Sequence, residues 1–290
     1  MCTNMKKIFS CKLKLLFRTT MLLALAIVSR NMWAAPVSPT LEHIKQSNTL
    51  NIGYRQLAPF SFRDNDGKVT GYTITLCNLI ADELRHSLGL KKLAINYIPI
   101  LFTDRVSSLN SSKIDMDCSV NTDAPERKSS VSFSNDYYVA NMRIVSLGKN
   151  NIRSLNDLKG RTVSVPRGSK DLLELNRVNR EKHLSLSIIT SDTMEDAFNM
   201  MAQHSTAAVI LDDILAYPFI NQSEHPEDFT VSHETVGDKM KYAIMMKKQD
   251  PMFVAFVDKT LERILESPQN MQLVNKLLVQ KVVIKNKHSD

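Results

Sequence analysis

The stretch LNIGYRQLAPFSFRDNDGKVTGYTITLCNLIADELRHSLGLKKLAINYIPI, residues 50–100, decides the fold. Its opening residues, 50–55, read as a strand that ends in the loop QLAPFSF. RDNDGKVTG follows, and its Asp, Asn and Gly content marks a turn. Over residues 75–88 apolar side chains recur at Leu76, Leu79, Ile80, Leu84 and Leu88, the period of a helix with one buried face. Residues 93–100, LAINYIPI, form the next strand. Strand, helix and strand at this spacing make a βαβ unit within a mainly parallel sheet.

Working outward, a short helix is expected upstream at residues 41–46. Downstream, residues 105–110 begin a second helix and KIDMDCSV, 113–120, makes a third strand. A second, similar series begins near residues 143–149. LNDLKGRTVSVPRGS, 155–169, gives a turn, a strand and a Gly-containing loop. A helix over 170–179, a strand over 184–190, a helix over 192–203 with an acidic first turn, and a strand over 206–213 follow. The tail, 250–267, is an amphipathic helix with Phe253, Phe256, Val257, Leu261 and Ile264 on one face, expected to pack back on the first unit. The pattern predicts an α/β chain of two lobes, each a mainly parallel sheet flanked by helices, with a cleft between them. The first lobe takes residues 36–141 and 240–290, the second residues 142–239.

The formal charge of +7 on 290 residues invites a nucleic-acid reading that its distribution removes. Six of the 37 basic residues lie in residues 1–34, which hold no Asp or Glu, so 31 basic residues face 30 acidic ones in the rest. A nearly neutral body carries no electrostatic footprint for DNA or RNA. Those first residues have the order of a secretory signal: lysines, the apolar run MLLALAIVS at 21–29, then Ala34 and Ala35. A run of nine residues is far shorter than the roughly 20 of a spanning helix. Residues 1–35 are therefore expected to be a signal peptide, and the remainder to reach the periplasm. Two cysteines stay, Cys77 and Cys118. In an oxidising compartment they pair as one disulfide or persist as two buried thiols. No CxxC supports a zinc or redox motif.

Ligands of open α/β sheets bind beyond the carboxyl ends of strands. At those positions stand Arg55, Arg105, Thr122 and Arg127 in the first unit, and Ser169 and Asp212 in the second. An arginine holds a carboxylate by a planar fork of donors and keeps its proton. Ser169 heads a helix, where free amides favour an anion, or simply caps it. Asp212 suits an ammonium. Together they complement a zwitterion with extra negative charge.

The segments GYRQLAPFSFRDNDGKVTGY, IDMDCSVNTDAPERKSSVSFSNDYY, LNDLKGRTVSVPRGS and AAVILDD carry a resemblance over most of residues 40–280. The chain resembles the periplasmic solute-binding proteins of polar amino acid ABC transporters (solute-binding family 3), and among them the glutamate/aspartate-binding proteins. The resemblance implies a type II periplasmic-binding-protein fold. It implies an amino acid ligand, an inner-membrane ABC permease as partner, a monomer and no cofactor. Arg127 with Thr122 is implied to hold the α-carboxylate, Asp212 the α-ammonium, Arg55 and Arg105 the side-chain carboxylate, and Ser169 to reach the ligand from the second lobe. This chain has Phe102, Val120 and Met194 where that branch has two serines and a histidine, so it lacks polar partners that a side-chain carboxylate wants; a larger or less polar acidic ligand fits that loss. A dehydratase on the same fold would need a Glu or His general acid/base in the cleft. The histidines show no paired pattern, and Glu126 reads as a surface residue. An exported sensor is not separable from a transport receptor by sequence.

Overall fold

The computed structural model describes residues 38–278, which gather into one compact unit. The expected signal peptide, residues 1–35, lies outside the described residues. Two sheets organise the chain. The first contains β1 (Thr49–Tyr54), β4 (Ala94–Pro99), β5 (Met116–Thr122), β6 (Val131–Phe133), β7 (Tyr138–Ala140) and β13 (Met240–Lys247). Its order is β4-β1-β5-β13-β6, with β7 also paired to β13. The second contains β8 (Met142–Leu147), β9 (Thr162–Pro166), β10 (Ser187–Ser191), β11 (Ala208–Asp212) and β12 (Phe229–Thr235), ordered β10-β9-β11-β8-β12. β2 (Phe62–Arg63) and β3 (Val69–Thr70) form a small hairpin in the predicted turn.

Both sheets are mixed. β1 runs parallel to β4 and β5, and β9 to β10 and β11, as the βαβ reading requires. The strands that carry the chain between sheets are antiparallel: β13 against β5, β6 and β7, and β8 against β11 and β12. The chain therefore crosses twice, from β7 to β8 through Asn141 and from β12 to β13.

The helices follow the apolar period. α1 (Pro39–Ser47) precedes β1, and α2 (Tyr72–Ser87) buries Leu76, Ile80 and Leu84. α3 (Arg105–Asn110), α4 (Lys170–Glu181), α5 (Met194–Ala202) and α6 (Asp213–Gln222) each begin just beyond a strand end. α7 (Pro251–Leu265) buries Phe253, Val257 and Leu261 and packs on α2, while Phe256 and Ile264 are only partly covered. α8 (Pro268–Leu277) buries no residue fully. Asp250 caps α7 through Phe253 N and also accepts from Ser38 Oγ and Thr40 N, tying the start of α1 to the start of α7. Cys77 of α2 and Cys118 of β5 are joined in a disulfide, with Cα atoms 6.3 Å apart. No helix among the described residues is long and apolar enough to cross a membrane.

Candidate functional site

Strand ends from both sheets converge on one cleft with about 300 Å³ of atom-free space, part of it open to solvent. Five charged side chains line it: Arg105 and Arg127 from the first half, Lys170, Asp171 and Asp212 from the second. Thr122 and Ser169 line it as well, so five of the six sequence-predicted residues meet there.

Each is placed by its element. Arg105 opens α3 and is 3 % exposed. Thr122 closes β5, and Arg127 ends the 3-10 turn Pro125–Arg127 that follows. Asp212 closes β11. Ser169 is the N-cap of α4; its Oγ accepts from Leu172 N at 3.1 Å and donates to Pro166 O at 2.8 Å, so capping already occupies its hydroxyl. The preceding Gly168 has φ +70°, a left-handed conformation that side chains disfavour. That turn aims its carbonyl at the first half, where Arg105 Nη2 donates to it at 2.6 Å and Arg127 Nη2 at 3.1 Å. Beside it, Lys170 pairs with Glu126 at 2.8 Å. Glu126 is a surface residue, as expected, and this pair links the turn after β5 to the start of α4.

Two buried polar atoms of the lining residues have no partner among the described residues: Arg127 Nη1 and Asp212 Oδ1. The other oxygen of Asp212 accepts from the Tyr242 hydroxyl. Burial, then the neighbouring Asp171 and Asp213, push the Asp212 carboxyl well above its ordinary value. Burial pushes Asp171 up to about 7 against the pull of Arg127 and Arg105. Burial, then the mutual repulsion of Arg55, Arg105 and Arg127, pulls Arg105 well down, and Arg127 is lowered by burial and Arg55. A cavity that strains cations and anions alike is built for a partner that supplies both opposite charges.

Arg55 is not brought into this cavity. Its Nη1 bonds Asp117 at 3.0 Å, and its Nη2 donates to Val120 O and to Asn121 Oδ1. Asp117 is fully buried and also accepts from Ser119. The Arg55 Nε is buried without a partner, and the Phe102 ring lies against the guanidinium, its centre 4.6 Å away. The same ring stands 5.6 Å from the Arg105 guanidinium. Arg55 and Asp117 neutralise each other inside the protein, which leaves Arg105 as the second arginine of the lining.

The rest of the wall is apolar: Leu57, Phe102, Val120, Met194 and Leu215. Sequence reasoning missed Asp171, because an acidic residue in a first helical turn reads as ordinary complement to the helix dipole. It missed Tyr242 because β13 was not recognised as a strand. Among the described residues no group of three or more His, Cys, Asp and Glu side chains is placed to hold a metal ion.

Residues 50–280 match the family model described as bacterial extracellular solute-binding proteins, family 3. The chain is similar to the glutamate/aspartate import solute-binding protein of Escherichia coli (strain K12), with 26 % identity over 250 residues, 84 % of this chain and 82 % of that protein. It is similar to the L-glutamate/L-aspartate-binding protein of Pseudomonas aeruginosa, with 26 % identity over 89 % of this chain and 85 % of the relative. Among solved structures it resembles an ancestral arginine-binding protein bound to arginine, with a TM-score of 0.70, 28 % identity, and coverage of 79 % of this chain and 98 % of that one.

Proposed function

Because the chain belongs to the bacterial extracellular solute-binding proteins of family 3, we propose that it is the periplasmic receptor of an amino acid ABC transporter, which closes on its ligand and delivers it to the membrane permease. The observation that carries this reading is the pair of buried, unpartnered atoms, Arg127 Nη1 and Asp212 Oδ1, on residues that line one cavity. A cation and an anion left open together suit the carboxylate and ammonium of one α-amino acid. In this reading Arg127 and Thr122 hold the α-carboxylate and Asp212 the α-ammonium. Arg105 faces the side chain, and the amides at the start of α4 close over the ligand from the second half.

An acidic ligand is favoured by the names of the Escherichia coli and Pseudomonas aeruginosa relatives and by Arg105, the one arginine of the lining not assigned to the α-carboxylate. The two chain crossings, β7 to β8 and β12 to β13, serve as the hinge, with residues 36–141 and 240–290 as one lobe and 142–239 as the other. Closure is then a shift between two states in which the ligand favours the one that lets both halves touch it. The protein acts by binding rather than by catalysis.

Calorimetric titration tests the reading. The purified protein, denatured and refolded to remove any ligand it carries, is titrated with L-glutamate, L-aspartate, L-glutamine and L-histidine. Tight binding of at least one is expected, lost in Arg127→Ala by on the order of 1000-fold, since Asp212 and the ammonium stay while a buried carboxylate loses its cation. Absence of heat with every amino acid would overturn the reading.

A further inference from the structure

With Asp171 and Asp212 both ionised, the cavity is charge-balanced before any ligand arrives. Arg105 and Arg127 stand against Asp171 and Asp212. Lys170 also lines it but is paired with Glu126, and Arg55 is paired with Asp117. A neutral amino acid, itself a zwitterion, leaves that balance intact. An acidic amino acid adds one negative charge among buried side chains, where an uncompensated charge is expensive.

Resting on the amino acid reading above, we propose that Asp171 sets the charge selectivity of the cavity: an acidic amino acid enters together with one proton, which Asp171 takes up, whereas a neutral amino acid enters without it. The proton comes from solvent and ends on a carboxylate oxygen of Asp171. The new O–H then donates to the ligand's second carboxylate beside Arg105. This also replaces what the wall lacks. Phe102, Val120 and Met194 offer no hydroxyl or imidazole donor, and a protonated Asp171 supplies one. Asp171 is 5 % exposed. The groups that face it are Arg105 from α3, Arg127 from the turn after β5, Asp212 from the end of β11 and, behind Asp212, Tyr242 of β13. Burial already holds Asp171 at about 7, so the proton is available at little cost in the physiological range.

Asp212 meets the α-ammonium of every amino acid, so its protonation change is common to acidic and neutral ligands and cancels in their difference. The experiment is therefore a comparison. Binding heats of L-glutamate and L-glutamine are measured at pH 8 in buffers of different ionisation enthalpy, which gives the protons exchanged with each. Glutamate is expected to take up about one proton more than glutamine. Its Kd should rise about tenfold per pH unit above 7, while that of glutamine stays flat. In Asp171→Asn the difference falls to zero and glutamate binding loses its pH dependence. The wild-type count decides the matter even where that variant does not fold. If glutamate binds wild-type protein with the same proton count as glutamine, or if the extra proton persists in the variant, the proposal is overturned while the amino acid reading stands. If neither these nor any other amino acid binds, both fall together.

Discussion

Asp171 and Asp212 hold protons more tightly in the folded chain than unfolded, both chiefly through burial. The sign for stability follows. A carboxyl whose folded pKa is raised contributes stability that is fully present below its unfolded value, near 3.8, and lost as pH rises through its folded value. For Asp171 that window runs from about 4 to about 7. The ligand-free protein is therefore expected to melt at higher temperature at pH 5 than at pH 8, as followed by circular dichroism. Asp171→Asn should narrow that gap, and bound glutamate should raise the pH 8 value less than the pH 5 value. An Asp171→Asn protein that keeps the full gap would leave the dependence with Asp212 or elsewhere. Arg55 shows how far residue roles are legible in sequence. Its position after β1 matched the family pattern, yet its function as a cation depends on Asp117, which lies 62 residues away. Linear spacing shows which residues reach a strand end, but not which charge is already answered there.

At the scale of elements, helices and parallel strands were legible because each announces itself locally. α3 coincides with its predicted span, and α2, α4, β1 and β4 differ from theirs by a few residues at the ends. β6, β7, β12 and β13 and helix α6 were not identified. The first two are three residues each, and α6 carries Pro218 in its interior. The antiparallel return of β13 is fixed by pairing with β5, a contact between residues more than a hundred positions apart. No local period encodes such a pairing. The N-terminus of α4 carries the prediction that belongs here. Its Lys170 side chain is 21 % exposed and that of Glu126 41 %, so the pair is worth about 0.2–1 kcal/mol, as partly exposed pairs are. Lys170→Ala is expected to raise the ligand Kd by about 1.5- to 5-fold. The deficit should shrink at 1 M salt, where the wild-type pair is screened. A change of 100-fold would mean that Lys170 touches the ligand itself.

For the whole molecule, the disulfide and the Asp250 tie both brace the first sheet and its helices, and neither joins the two halves. Of the hydrogen bonds that do join them, two converge on one atom. Two arginines from one side donate to a single backbone oxygen, that of Gly168, on the other. In the language of rates, this carbonyl is a competitor tethered to the receptor. It holds the donors that an arriving carboxylate needs, and no ligand concentration can hasten its departure. Association measured by stopped flow is then expected to speed up with ligand at first and to level off at the rate at which Gly168 releases the arginines. A rate that climbs linearly to millimolar ligand would show instead that the donors stand free most of the time. A plateau would make uptake from a rich medium limited by the receptor's own opening, and uptake from a poor one by encounter.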